Sequence, residues 1–414
     1  MHSSGVICEF NPFHGGHAYL LSRTRELVGD EGCVVCLMSG RFVQRGEAAM
    51  ADPYLRAQMA LAGGADLVLE LPFPWSSGSA EFFASAGVSA LSRLGVEHLV
   101  FGSESGDLSL LTAAAEAINT SAFRETYAEF CRAGMGTAAA YTEALKRVCP
   151  VELPADFPSS NELLGIAYLC ALKQYEATAD HALTPYTVPR LGADYREDTL
   201  SPGCFPSATA LRAVIREAAC DPVALAAILE GTMPQDSLNV LLRAVSTEEA
   251  PLSNQRLLAF YHTFYRIRSP EDFENCVEMG GGLANHICRR ARETATPDEF
   301  FTYLRTKQYT DARLRRALLF GALGVTDRDL KASPTYVTLL AANAKGCAFL
   351  KEWRRTSKDN PLYFPVVTKP ADAPEGRQRE LSEQSDALFT LCYPTPRIAG
   401  EMYRKSPVIQ DASS

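Results

Sequence analysis

The chain has 414 residues, 47% hydrophobic and 21% charged, with 28 Gly and 24 Pro, which excludes a disordered or fibrous protein. Its length suggests roughly two to three domains, each able to bury a core without disulfide staples. A formal charge of −9 gives no overall attraction to nucleic acid or anionic membrane.

The charge is uneven. Residues 1–220 hold 15 Lys and Arg against 25 Asp and Glu, whereas residues 281–360 hold 15 against 8. That stretch is either a local basic face for a polyanion or a set of solvated helix faces. No apolar run reaches the roughly 20 residues needed to span a bilayer, and no secretory leader is apparent, so neither membrane nor export is expected. Twelve cysteines without regular spacing fit reduced thiols in a cytoplasm, with no disulfide-linked partner.

In chain order, Val6 to Phe10 reads as the first strand, Cys33 to Met38 as the second, Leu67 to Leu71 as the third and Leu99 to Gly102 as the fourth. Cys33 and Cys36 form a C-x-x-C inside the second strand and are read as core, since no second pair completes a zinc site. Asp52-Pro53 is a helix start, Gly63-Gly64 its stop, and Ser79 to Leu94 a further helix ended by Gly95. Asn161 to Lys173 is helical, and Tyr186 to Val188 is the last strand expected. From about residue 221 only helices are expected, among them Pro222 to Glu230, Asn254 to Arg266 and Arg313 to Leu323, with a looped passage from Asp359 to Arg379. The alternation predicts an α/β fold, with a doubly wound parallel sheet over residues 1–220. A mainly α-helical domain over 221–414 follows it.

Ligands of such sheets sit at the carboxyl ends of the strands. After the first strand comes His14-Gly15-Gly16-His17, two imidazoles on the first turn of a helix whose amides and dipole favour phosphate. That pattern predicts an ATP site with His14 and His17 as catalytic groups; a metal site is disfavoured, because no nearby Cys or carboxylate completes a ligand set. Farther on, Ser207-Ala208-Thr209-Ala210-Leu211-Arg212 reads as a capped helix start with Arg212 one turn in, placed to grip phosphate oxygens.

The H-x-G-H element resembles the nucleotidyltransferase superfamily, and the Ser207 to Arg212 turn resembles its second phosphate-binding element. More narrowly, the chain is similar to the tRNA(Met) cytidine acetate ligase family. The similarity is carried by Glu9 to His17, Met38 to Glu47, Gly64 to Pro72, Phe101 to Glu104, Asn161 with Leu164-Gly165-Ile166, Arg190, Asn285, and Lys307 to Thr310 with Arg313 and Arg316. Two positions depart from the family pattern: Gly15, where Asn is usual, and His286, where Arg is usual.

The resemblance implies that acetate attacks the α-phosphate of ATP to give acetyl-adenylate and pyrophosphate. The acetyl group then passes to N4 of the wobble cytidine of elongator tRNA(Met), forming N4-acetylcytidine. ATP contacts implied are Ile7, Cys8, Glu9, Phe10, Asn11, Pro12, Phe13, His14, Gly15, Gly16, His17, Ala18, Tyr19, Leu20, Gly102, Asn161, Arg190, Ser207 and Thr209, with Mg2+ expected to accompany ATP and no protein ligand set for it legible. Arg45 is the candidate for orienting acetate, unless Arg45 and Glu47 are a surface ion pair. Lys307, Tyr309, Arg313, Arg315 and Arg316 are the candidates for tRNA contact, unless they are the wet side of an amphipathic helix. A small-molecule adenylyltransferase would use the same two phosphate motifs but needs only the first domain. A non-catalytic nucleotide or RNA-binding protein would not need both histidines and Arg212.

Overall fold

A computed structural model describes residues 1–176, 183–190, 205–219, 221–357 and 364–410. Strand β1 (Ser3–Cys8) is followed by α1 (Gly15–Val28), β2 (Cys33–Ser39), α2 (Pro53–Ala62), β3 (Leu67–Leu71), α3 (Ala80–Arg93) and β4 (His98–Ser103). Four helices then intervene, α4 (Leu108–Ile118), α5 (Ser121–Arg132), α6 (Thr137–Val148) and α7 (Ser160–Glu176), before β5 (Thr184–Pro189). Helix α8 (Ala208–Ala218) opens a long helical run: α9 (Pro222–Leu229), α10 (Gln235–Ser246), α11 (Gln255–Arg266), α12 (Leu283–Glu293), α13 (Pro297–Leu304), α14 (Asp311–Leu323) and α15 (Asp327–Lys331). The chain ends through β6 (Val337–Ala342), α16 (Ala344–Ser357), β7 (Val366–Val367), α17 (Arg377–Phe389) and β8 (Val408–Ile409).

The sheet runs β5-β4-β1-β2-β3-β6-β7, with β8 also pairing β6. Strands β1 to β5 are mutually parallel and β6 is antiparallel to β3. The order reverses between β1 and β4, and the crevice outside their carboxyl ends is where a doubly wound sheet receives its ligand.

Alternation along the strands explains the two-layer core. Ile7, Val35, Leu37, Leu67, Leu69, Leu99 and Phe101 face one cluster, shared with α3, α4, α7, α11 to α14 and α17. Val6, Cys8, Val34, Cys36, Met38, Val68 and Val100 face the other, shared with α1, α2 and α8 to α10. Cys33 and Cys36 are fully buried on opposite faces of the sheet, so they serve as core and do not meet. Asp66 ties the layers below the strands: it accepts from the Val34 amide at 2.8 Å and Asn343 Nδ2 at 2.8 Å, and pairs with Arg25.

Two expectations are corrected. Among the described residues three strands follow residue 221, and β6, buried along its whole length, extends the sheet beyond β3. The segment expected to be looped carries β7 and the first turn of α17, with residues 358–363 outside the described set. Helices α4 to α6 were not foreseen either. No helix among the described residues is long and apolar enough to cross a membrane.

Candidate active site

The chain leaves β1 through a turn in which Phe10 adopts φ +46, a left-handed conformation that costs a non-glycine residue free energy and needs its surroundings to hold it. The hold is aromatic. Phe10 lies edge-on to Phe13 at 5.0 Å between ring centroids and packs on His17 at 4.9 Å.

That turn delivers His14 as the cap of α1. His14 Nδ1 accepts from the Gly16 amide at 3.0 Å, and His17 Nδ1 accepts from the His14 amide at 3.3 Å, a reciprocal capping box built from two imidazoles. The rings lie 3.8 Å apart, centroid to centroid. Because each Nδ1 is an acceptor, the ring proton of each neutral imidazole resides on Nε2. Both are neutral: burial, reinforced by the charges of Arg190 and Arg212, pulls His14 down to about 3. Burial, His14 and Arg190 hold His17 well below its usual value. The pair therefore offers two N–H donors and no positive charge of its own; the cations come from the arginines beside it.

Helix α8 brings the second element to the same place. Ser207 caps it, accepting from the Ala210 amide at 3.1 Å. Arg212 donates to the Asn11 carbonyl at 2.8 Å and to Thr209 Oγ1 at 3.1 Å. Burial lowers the Arg212 pKa, opposed by the carboxylates of Glu47 and Glu9. Glu9 is itself raised by burial, while its Oε1 accepts from the Gln44 amide at 2.8 Å and Arg212, Arg45 and Arg56 offset the shift.

The third wall comes from the ends of β4 and β5 and the start of α7. Asn161 Nδ2 donates to Glu104 Oε1 at 2.6 Å, Arg190 Nε approaches the same oxygen at 3.6 Å, and Ser159 Oγ donates to the other. A Cβ at Gly102 would sit 3.3 Å from the Arg190 chain, so glycine lets that side chain lie along the strand end. Glu104, unassigned from sequence, is thus what gathers Asn161 and Arg190.

One feature of the cradle differs from expectation. The α1 amides are already used: Gly15 donates to the Thr232 carbonyl at 2.8 Å and Gly16 to His14. The donors left at this helix start are the imidazole Nε2 atoms, joined by the helix dipole, rather than free Gly15 and Gly16 amides. A Cβ at Gly15 would lie 2.7 Å from the Phe205 ring and 3.2 Å from the Thr232 carbonyl, which accounts for glycine at this position.

The remaining predicted contacts are placed around this core. Ile7 and Cys8 end β1, with the Ile7 carbonyl accepting from Tyr168 Oη at 3.4 Å. Pro12 and Phe13 are buried, and Ala18, Tyr19 and Leu20 are half-buried on α1, Tyr19 lying 6.4 Å from the Phe205 ring. Arg56, which sequence reasoning missed, is wholly buried and fastens the ends of β1 and β2 by donating to the carbonyls of Glu9 at 2.5 Å, Ser39 at 3.0 Å and Gly40.

The loop after β2 docks on the helical part. Glu47 pairs with Arg315 at 2.9 Å rather than with its neighbour Arg45, whose charge acts on Glu9. Arg313 and Arg316 both pair with Glu278, at 3.3 and 2.8 Å, and Arg313 lies over the Tyr309 ring. Tyr309 is buried, donating to the Gly281 carbonyl at 3.2 Å, while Lys307 is exposed. His286 Nε2 lies 3.1 Å from the Leu304 carbonyl. Lys307, Tyr309, Arg313 and Arg316 stand apart from the cradle, whereas Arg45 acts on Glu9, and Glu47 and Arg315 act on Arg212. Among the described residues no three His, Cys, Asp or Glu side chains gather as a metal-holding group.

Comparison with known proteins places this geometry in context. Residues 1–402 match the family model described as HIGH Nucleotidyl Transferase. The tRNA(Met) cytidine acetate ligase of Acetivibrio thermocellus is 33% identical over 421 residues, covering 98% of this chain and 99% of that protein. Its namesake from Clostridium perfringens strain SM101 is 32% identical, covering 99% and 100%. The crystal structure of Thermotoga maritima TmcAL in its apo form I superposes with a TM-score of 0.87 at 27% identity, covering 100% of both chains. The same protein bound with alpha-thio ATP gives 0.84 at 26% identity.

Proposed function

Because the chain belongs to the HIGH nucleotidyl transferase family, and within it to the tRNA(Met) cytidine acetate ligases, we propose that it is an ATP-dependent ligase that acetylates N4 of the wobble cytidine of elongator tRNA(Met), in the cytoplasm. The reaction has two steps. Acetate, its carboxylate oriented by Arg45, attacks the α-phosphate of ATP, and pyrophosphate leaves. The N4 amine then attacks the acetyl carbon of acetyl-adenylate and displaces AMP.

The observation that carries this reading is the meeting of His14, His17, Arg190 and Arg212. Neutral imidazoles donating through Nε2, flanked by two guanidiniums, stabilise charge that grows on departing pyrophosphate without needing a protein nucleophile. The triphosphate lies along Asn11 to His17 and Ser207 to Arg212, with adenosine over Gly102, Asn161 and Arg190. Mg2+ is carried in by the phosphates themselves. The tRNA lies on the helical part, with Lys307 on its phosphates and Tyr309, Arg313, Arg315 and Arg316 behind that surface.

Incubation of the protein with ATP, labelled acetate and a tRNA(Met) transcript tests the reading. Acetyl transfer to RNA is expected. Adenylation of a small molecule would replace the ligase by an adenylyltransferase, and ATP binding without turnover would replace it by a non-catalytic nucleotide-binding protein.

A further inference from the structure

Beside the cradle lies a cavity of about 360 Å³, a size ordinary for a site that encloses one small organic ring system. Its apolar walls include Leu258 and Phe301, and its charged groups are Glu47, Arg216 and Arg315, with Asn254 among the neutral polar residues beside them. Tyr261 also lines it, and the buried Tyr261 hydroxyl has no hydrogen-bond partner among the described residues. An orphaned buried hydroxyl is costly unless something else completes it.

The cavity adjoins the ATP cradle through shared elements. Arg216 stands four residues after Arg212 on α8, one turn along the same helix face. Glu47 lies in the loop whose Gln44 amide binds Glu9, and Glu47 and Arg315 both act electrostatically on Arg212.

Resting on the ligase reading above, we propose that this cavity receives the acceptor base of the RNA, an unpaired cytosine turned out of its loop. Phe301 and Leu258 enclose the ring faces, the Tyr261 hydroxyl donates to the N3/O2 edge, and Glu47 accepts from the exocyclic amine, the pairing that suits a carboxylate to cytosine N4. Arg216, exposed and without an ion pair among the described residues, holds the flanking phosphate. In the transfer step the N4 lone pair forms the new N–C bond and the acyl C–O bond to the α-phosphate breaks. AMP leaves with that electron pair, and the surplus N4 proton passes to the Glu47 carboxylate, which Arg315 steadies at 2.9 Å.

The two half-reactions separate this site from the cradle. Leu258→Trp fills the cavity and Tyr261→Phe removes the orphaned hydroxyl; neither residue belongs to the ATP site. Both variants should retain acetate-dependent ATP–pyrophosphate exchange within about twofold of the parent, measured without RNA. On a tRNA(Met) transcript, Leu258→Trp should lose about a hundredfold in acetyl transfer and Tyr261→Phe about tenfold in kcat/KM, losses of the size expected when a buried pairing is removed. Unchanged transfer in both overturns the pocket alone, as does exchange that falls in step with transfer, which would assign the cavity to nucleotide or acetate. An unmodified protein that exchanges no pyrophosphate in response to acetate overturns the ligase reading itself.

Discussion

The Arg212 guanidinium donates to the Asn11 carbonyl at 2.8 Å, fastening helix α8 to the turn that sets the two imidazoles. A single bond therefore registers two segments far apart in the chain, the two proposed to hold the triphosphate. The same side chain is braced by Thr209 at 3.1 Å, so its planar fork is fixed before any ligand arrives, which lowers the ordering cost of binding.

Arg212→Lys should reduce acetate-dependent pyrophosphate exchange by about a hundredfold or more, because an ammonium lacks the fork that spans the Asn11 carbonyl, Thr209 and a phosphate together. The charge survives the substitution, so ATP affinity should fall much less than the rate. Exchange kinetics with ATP titration separate the two.

Replacement of either imidazole should act on the chemical step. For His14→Ala, loss of a donor to the leaving group predicts a drop of about 10²–10³ in exchange rate. It also removes the cap of α1, at a cost of about 1 kcal/mol, which denaturant unfolding would register. A variant with normal exchange would remove His14 from catalysis.

The depressed imidazoles make a pH prediction with a definite sign. His14 titrates near 6.5 when unfolded and about 3 when folded, so between those values the unfolded chain binds more protons and stability rises with pH. The contribution is complete above 6.5 and is lost as pH falls toward 3, with His17 acting in the same direction. Unfolding midpoints followed from pH 7 to pH 4 should fall more steeply for the parent than for His14→Gln, which has no proton to gain.

Gly15 and Phe205 form a matched pair. Gly15→Asn drives its Cβ against the ring, so that change alone should weaken ATP binding by displacing Phe205. Gly15→Asn with Phe205→Ala should recover most of the loss. If the second change adds to the damage, the steric account of Gly15 is wrong.

Much of this was legible in the sequence. Strands β1 to β5 announce themselves as short apolar runs bounded by Gly, Pro and Asp, and both phosphate elements stand at strand or helix ends, where their residue types have a local reason to be. Strand β6 did not: Val337 to Ala342 is an apolar run set among helices, and only its pairing with β3 decides its conformation. Arg56 was invisible for a related reason, since its carbonyl partners are assembled by the sheet. The ion pairs of the basic stretch were not legible either, because charge counting does not reveal that Glu278 holds Arg313 and Arg316, or that Glu47 holds Arg315.

Whether both turns grip one triphosphate is decided by a crystal structure of this protein with a non-hydrolysable ATP analogue. Phosphate oxygens are expected within hydrogen-bond distance of Nε2 of His14 and His17 on one side and of the Arg212 guanidinium on the other. A triphosphate held elsewhere, with Arg212 and the imidazoles touching none of it, would show that the two turns do not share a ligand.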